Sequence, residues 1–576
     1  MPGFLLILCS DLPPDFDVET PTPPSVVCVE RRLTREGVWL KSNVLSKFLK
    51  DKVFEGDHYV FVCTDGVLLN TGQLRARLDK ASNFELLAQL YSEGGISAVS
   101  RLRGSFSGII YDGKENVWHV FTDHLGTKPV FYFVDESRRC VVISSELKML
   151  LHAIRHLGYS PKLCEVGAYC LLTFGFMLGD YTYVEDVKRL PAGCVLTIKD
   201  NVAHLTQYYK LASTPYLDEP KNTMIEELDR RFRAAVNDEY QKDLEYGYKH
   251  IATLSGGLDS RMSLTYAKQL GYSDILTITL SQANYWDEKI AKKISADYRY
   301  QFLFYGLDNG NYLKDIEKPV SANDGLVLFP GSAHLLAMES LIDWQRLGIL
   351  HTGMIGDFVM GSYLYRPSHS SPGARSVRKI AYSTKLLKKI PVRVVEKEQQ
   401  RFENDELFSF YERCLNGAWN GFWTTHQFTE ATSPFVHIDF LDYVMRIPPR
   451  FRYREKIYQS WIRKFASEAS KYRWEKTGMR IGAPRAITFT RQALRYLKSR
   501  MGASSYSMNP EDYWYRTNET LRTTFKTSFE RDITYLHEYP KLKDDVAYLF
   551  QNGTLLEKGQ CLTLLEAIRL FLFDGR

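Results

Sequence analysis

The segment Leu254-Ser-Gly-Gly-Leu-Asp-Ser260 places two glycines, two hydroxyls and a carboxylate within seven residues. Gly256 and Gly257 allow a tight backbone turn with outward N–H groups, and a helix starting just beyond adds its positive end to the same space. Phosphate oxygens suit such a cradle, with Ser255 and Ser260 as further donors and Asp259 as a hard oxygen ligand for Mg²⁺. The bland alternative is a plain glycine turn, which the strand-to-helix context and the full set of loop residues argue against. No Gly-Lys-Ser/Thr follows, so this is not a Walker A loop.

The elements that must hold this loop follow from the apolar pattern. A buried strand over residues 250–254 enters it and a helix over 259–270 leaves it. A strand at 275–280, a helix at 288–297, a strand at 301–305, a helix near 333–346 and a strand at 349–351 continue the series. Such alternation predicts a mainly parallel sheet covered on both faces. Upstream, Thr223 with Glu226 three residues on reads as a capping box opening a helix towards Tyr240. The first ~210 residues read instead as short strands between Gly- and Asp-bearing turns, with helical spacing at 84–91. A polar stretch, 210–221, reads as a linker, and beyond about residue 360 helix dominates.

With 576 residues, 44% hydrophobic, 25% charged and 13% aromatic, the composition is globular and excludes a disordered, collagenous or coiled-coil chain. A net charge of +6 is small for this length and speaks against a dedicated nucleic-acid binder. No apolar run is long enough to span a membrane, and the apolar start lacks a basic flank, so neither a transmembrane segment nor a secretory signal is expected. Nine cysteines form no C-x-x-C pair, which predicts reduced, mostly buried thiols in a cytoplasmic protein. Cys9, inside an apolar run, is expected to be a buried, inert thiol.

The loop Ser255-Gly-Gly-Leu-Asp-Ser260 resembles the pyrophosphate-binding loop of the asparagine synthetase family, within the wider ATP-pyrophosphatase group. The resemblance extends over roughly residues 1–485. Met1-Pro-Gly-Phe4, Leu102-Arg-Gly-Ser-Phe106, Asp112 and Asp123-His-Leu-Gly-Thr-Lys-Pro-Val-Phe-Tyr132 are similar to the family's amidotransferase domain. Ser144-Ser-Glu146 and Lys188-Arg-Leu-Pro-Ala-Gly193 continue it. Asp287-Glu288, Thr352-Gly-Met-Ile-Gly-Asp357, Ser433-Pro-Phe435, Glu455-Lys456 and Lys476-Thr-Gly478 resemble the synthetase half. The resemblance implies an α/β two-domain fold. An Ntn-type, β-rich class II amidotransferase-like sandwich would span 1–210, and a doubly wound, HUP-like ATP-pyrophosphatase domain 211–485. A helical extension would follow over 486–576.

The family implies ATP-dependent amide formation, in which a carboxylate attacks the α-phosphate and an amine then displaces AMP. Leu254, Ser255, Gly256, Gly257, Asp259, Ser260, Leu280, Thr352 and Gly353 would then bind ATP. Asp259 and Asp357 would hold Mg²⁺, and Lys456 would neutralise charge developing at the α-phosphate. For Asp357 the alternative is a helix N-cap, and for Lys456 an ordinary surface lysine beside Arg452 and Arg454. The expected partners are a small-molecule carboxylate and ammonia or another amine, with no nucleic acid; a homodimer stays open.

Several positions depart from the family pattern. Pro2 stands where glutamine-using members carry the nucleophilic cysteine, and a proline offers no thiol for amide hydrolysis. Ser82-Asn83 replaces a glutamine-holding Ser-Asp and loses its carboxylate. These two changes predict a retained N-terminal domain without glutaminase activity. Met354 stands where the asparagine- and β-lactam-forming members have Glu or Tyr, and a thioether cannot take a proton from the attacking amine. His351 is either a base or a satisfied strand-end histidine. His437 stands for an Asp, with its role open. Arg261 could reach a phosphate or a substrate carboxylate, or lie in an exposed salt bridge.

Pro2, Ser260-Arg261 and the 353–357 turn are similar to divergent family members associated with bacterial surface-glycan pathways, where a sugar acid or another carboxylate is the expected substrate. The basic stretch 375–397 reads as a solvated helix face or as a dock for an anionic substrate. The aromatic-rich end of the chain reads as packing. The leading expectation is an AMP-forming carboxylate–amine ligase. The alternatives are an intramolecular cyclase of β-lactam or lasso-peptide type, an RNA-modifying ATP pyrophosphatase, and a non-catalytic family member.

Overall fold

The computed structural model describes residues 3–13, 16–18, 27–483 and 507–573. The apolar strand Gly3–Cys9 is buried along its whole length because it runs antiparallel between Val38–Leu45 and Cys140–Ser144 at the centre of a six-stranded sheet. A second six-stranded sheet carries Val60–Leu68, Gly104–Asp112, Val117–Thr122 and Cys194–Lys199. Alternation along the strands splits their side chains between two faces. Phe4, Leu6 and Leu8 join Ile109, Val120 and Leu196 in one core between the sheets. Leu5 and Ile7 instead share a core with the helices Leu147–His156 and Glu165–Phe174. Val62, Ile110 and Phe121 lie with the helix Asn83–Gly94. The first half is thus a sheet sandwich with helices on both outer faces.

That packing corrects one cysteine expectation. Cys9 pairs in register with Cys140 across neighbouring strands, Cα atoms 4.2 Å apart, and the two form a disulfide rather than free thiols. Cys63, Cys170, Cys194, Cys414 and Cys561 are free and buried as expected.

The second half is built on five parallel strands in the order Gln301–Gly306, Leu276–Ser281, Lys249–Thr253, Leu347–His351, Ala431–Thr432. The sequence pattern locates four of them; Ala431–Thr432 is too short to leave a periodic signal. The helix Lys221–Glu245 starts at Pro220 rather than at the Thr223 capping box, since proline at the boundary pre-sets φ and needs no N–H partner. The helix expected over 333–346 is shorter, Pro330–Glu339: the chain turns back so that the Trp344 indole donates to the Glu339 carbonyl.

The last helices do not form a detached tail. Cys561, Leu562, Leu564 and Leu565 on Leu555–Ala567 pack with Ala168, Leu171 and Leu172 of the first half, and Thr563 accepts from the Phe329 N–H at 3.0 Å. At about 1.5–3 kcal/mol for each fully buried large aliphatic side chain, this contact ties the chain end to both halves. Among the described residues no helix is long and apolar enough to cross a membrane.

Candidate active site

The glycine loop lies at the carboxyl end of the central strand Lys249–Thr253, where open parallel sheets place ligands. Leu254 is buried, its N–H donating to Ile278 and its carbonyl accepting from the Thr279 hydroxyl at 2.6 Å. The Ser260 Oγ accepts from the Ser255 N–H at 3.0 Å, and the Ser255 Oγ accepts from the Gly257 N–H at 3.1 Å. The hydroxyls expected to donate to phosphate therefore also knot the loop. Gly256 differs from expectation: its N–H donates to the Asp287 carboxylate at 2.8 Å instead of pointing into open space. Its glycine identity is steric, since a Cβ would lie 2.8 Å from Glu475 Cβ. Ser255, Gly257 and Asp259 keep partial exposure.

Arg261 occupies neither expected position. It is fully buried, and its guanidinium donates to the carbonyls of Gly256 (2.9 Å), Ala469 (3.1 Å) and Arg473 (2.7 Å). It braces the glycine loop against the 469–473 turn.

Asp259 and Asp357, 98 residues apart in sequence, meet. The Asp357 backbone is hydrogen-bonded to the Asp259 carboxyl, which also accepts from the Tyr458 hydroxyl at 2.8 Å. Glycines make this approach possible: a Cβ on Gly356 would lie 2.7 Å from Asp259 Cγ, and one on Gly353 would clash with the backbone N of Ser260. Burial, followed by repulsion from Asp357 and Glu455, pushes the Asp259 carboxyl well above its usual range. Burial also raises Glu455, with further repulsion from Asp357. Among the described residues neither Asp259 nor Asp357 has an ion-pair partner, and two such carboxylates suit a hard divalent cation, whose oxygen ligands they would supply. The turns that deliver these groups are strained. Ile355 has φ +67°, and Arg454 and Glu455 have φ +58° and +57°, left-handed values unusual for such side chains.

Beside the carboxylates opens a cavity of about 800 Å³, lined by Lys221, Arg454, Lys456, Arg463, Lys476 and Arg480 together with Ser362 and Glu455. Ser362 also donates to the Asp357 carboxylate at 3.2 Å, which joins the cavity wall to the acidic cluster. Lys456 is exposed at the start of the helix Lys456–Phe465, while its neighbour Glu455 pairs with Lys476 at 3.2 Å. Thr352 is buried and donates to the Thr432 carbonyl at 2.8 Å. Leu280, half-buried, sits near the carboxyl end of Leu276–Ser281 with its side chain in the apolar packing. Asp287, from the Asp287-Glu288 motif, reaches the loop as its acceptor, while Tyr458 and Glu475 are site neighbours that no motif named, because each comes from a distant segment.

His351 is a buried strand-end histidine whose Nε2 is hydrogen-bonded and whose Nδ1 faces Glu239 at 3.6 Å without a hydrogen bond. It stacks on Tyr240 at 3.8 Å and donates to Asp243 at 2.7 Å, and Asp243 also accepts from His250 at 2.8 Å. These three residues are close enough to ligate a metal, yet their separations are those of hydrogen bonds. Met354 is partly buried among apolar side chains.

In the first half, the Asp123-to-Lys128 motif is structural. The Asp123 carboxylate accepts from the backbone of Phe106, Leu125 and Thr127. Buried Lys128 pairs with Asp65 at 3.3 Å and with Glu430 of the second half at 2.8 Å, and Glu430 also pairs with Lys52 at 3.0 Å. Ser82 caps the helix Asn83–Gly94, and Asn83 is buried and donates to Asp51 at 2.9 Å. Pro2 lies outside the described residues.

A parallel sheet with its glycine loop at the carboxyl edge and a facing carboxylate pair places this half in the α/β class that keeps its ligand crevice at that edge. Residues 227–528 match the asparagine synthase family and residues 52–209 a glutamine amidotransferase domain. The chain belongs to the asparagine synthase family. It is 24% identical over 245 residues to the putative asparagine synthetase [glutamine-hydrolyzing] 2 of Methanocaldococcus jannaschii, covering 42% of this chain and 46% of that protein. It is 23% identical over 322 residues to asparagine synthetase [glutamine-hydrolyzing] 1 of Bacillus subtilis, covering 54% and 49%. Against asparagine synthetase B [glutamine-hydrolyzing] of Escherichia coli the identity is 22% over 414 residues, covering 68% and 63%. The matches thus span about half to two thirds of these relatives.

Proposed function

We propose that this protein is an ATP- and Mg²⁺-dependent ligase that adenylates a small-molecule carboxylate and passes the acyl group to ammonia or another amine. The meeting of Asp259 and Asp357 beside a cationic cavity carries this reading. The proposed division is an Ntn-type amidotransferase-like domain over 1–210, a doubly wound HUP-like domain over 211–485 and a helical extension over 486–576. The proposed setting is the cytoplasm.

In the proposed reaction a carboxylate oxygen attacks the α-phosphorus, the bond to the β-phosphate oxygen breaks, and pyrophosphate leaves. The amine nitrogen then attacks the acyl carbon, AMP departs with the C–O electron pair, and the nitrogen loses a proton. A bound Mg²⁺ supplies charge neutralisation at the pyrophosphate. Asp259 and Asp357 hold that cation, Ser255 and Gly257 cradle phosphate oxygens, and Lys456 stabilises charge on the α-phosphoryl group. Arg261 keeps the loop in place without touching the nucleotide. Met354 offers no proton acceptor, which favours a product other than asparagine.

The first domain acts as a scaffold without glutaminase activity in this reading. Pro2 supplies no thiol, and Asn83 is already committed to Asp51. Isotope exchange between ATP and pyrophosphate, screened over aspartate, uronic acids and amino-acid derivatives, tests the proposal. Carboxylate-dependent exchange and product formation with ammonium but not glutamine are expected. Absence of exchange with every carboxylate, or release of glutamate from glutamine, would overturn the respective part.

A further inference from the structure

A second cavity, of about 300 Å³, lies on the other side of the 362–366 segment. Ser362 faces the large cavity, whereas Tyr363, Leu364, Tyr365 and Arg366 face this one, together with Arg375 and Lys379 of the helix Ala374–Ile380. Of its two carboxylates, Glu406 is matched by cations, whereas Asp405 is held by a neutral serine and offsets one of the three positive charges in the lining. Asp405 accepts from the Ser370 hydroxyl at 2.8 Å and from the Ser370 N–H at 3.2 Å. Glu406 takes a bidentate pair from Arg452 at 2.7 and 2.6 Å and a third bond from His369 at 2.7 Å.

The cations are left over. Among the described residues, Arg366, Arg375 and Lys379 have no ion-pair partner; the hydrogen bond shown for Lys379 runs to the Tyr363 carbonyl. Lys379 and Arg375 both converge on the Tyr365 ring, at 3.8 and 4.7 Å from its centre. Two like charges over one ring repel each other, and an aromatic face offsets only about 0.5–2 kcal/mol of that. Burial lowers the Lys379 ammonium to about 8, although the Asp405 and Glu406 carboxylates act the other way, and Arg375 adds repulsion. An anion between the three cations would satisfy all of them with charge-assisted hydrogen bonds.

We propose that this cavity binds an anionic group, phosphate or carboxylate, borne by the substrate in addition to the carboxylate that is activated. For the word substrate the proposal rests on the ligase reading; as an anion site it stands apart from it. Charge and shape at Tyr365, Arg366, Arg375 and Lys379 then select carboxylates with a second negative charge.

The test is acetylation of Lys379 by limiting acetic anhydride at pH 8 in the full chain, read by peptide mass spectrometry without nucleotide present. Inorganic phosphate and malonate are the probes, with sodium chloride at matched ionic strength as reference and exposed Lys162 as internal control. Lys379 should react about tenfold more slowly at roughly ten times the dissociation constant of a bound anion, with Lys162 unchanged. Arg375→Gln, at an exposed position, should abolish the protection while leaving the unfolding transition in place. Protection by phosphate alone assigns a phosphoryl group, and protection by malonate alone a carboxylate. Equal slowing by chloride, or none with either probe, overturns the proposal. Failure of pyrophosphate exchange would remove the ligase reading without altering this measurement.

Discussion

At the scale of single residues, the site separates groups that act on a ligand from groups that hold them. Lys456 is exposed to the large cavity, and on the proposed ligase reading, where it follows a phosphoryl group, Lys456→Met should lower kcat by about 10²–10³-fold while changing ATP affinity little. Steady-state and single-turnover rates on the carboxylate found by exchange check this. Arg261 was legible as a residue but not in its role. Its partners lie near residue 470, and no local spacing announces them. Arg261→Lys keeps the charge but cannot span three carbonyls, leaving buried acceptors unmade at about 1–3 kcal/mol each. We expect it to lose about 2–4 kcal/mol in urea unfolding and to raise the KM for ATP with a smaller effect on kcat.

At the scale of elements, the loop and its flanking strand and helix were readable because glycine pairs and apolar runs are local signals. The short strand Ala431–Thr432 was not, since two residues carry no period; it is fixed by pairing with Leu350 and His351. The adjoining strand Leu347–His351 ends in the buried His351–Asp243 contact, which makes the sheet pH-sensitive. Although burial opposes its charged form, the Asp243 and Glu239 carboxylates hold the His351 imidazole up at about 9. A group raised in the folded state stabilises fully below its unfolded value near 6.5 and loses that contribution as pH rises through about 9. Thermal unfolding should therefore show stability falling between roughly pH 6.5 and 9, by up to about 3 kcal/mol. His351→Gln should flatten that dependence; an unchanged slope would show that the imidazole is not charged in the fold.

At the scale of the whole molecule, the amidotransferase-like half is bound to the synthetase half through a buried ion cluster. Lys52 and Lys128 converge on Glu430 and hold its carboxyl well below the usual range despite complete burial. Glu430→Gln leaves two buried ammonium groups short of their counter-charge and should cost about 3–5 kcal/mol in chemical denaturation. The stability that Glu430 supplies is present above its unfolded value near 4.5 and is lost as pH falls through its lower folded value. The two-half organisation was visible in the sequence as a change from β runs to strand–helix alternation. The clamp was not, because Glu430 is 302 residues from Lys128 and stands in no motif. For the same reason Cys9 read as an isolated thiol, whereas register brings it to Cys140. In the proposed ligase, Asp259 and Asp357 share one divalent cation with bound nucleotide. Electron paramagnetic resonance of Mn²⁺ titrated into the protein with ATP measures this directly. One tight site per chain, lost in both Asp259→Asn and Asp357→Asn, is predicted; unchanged Mn²⁺ binding in either variant would contradict it.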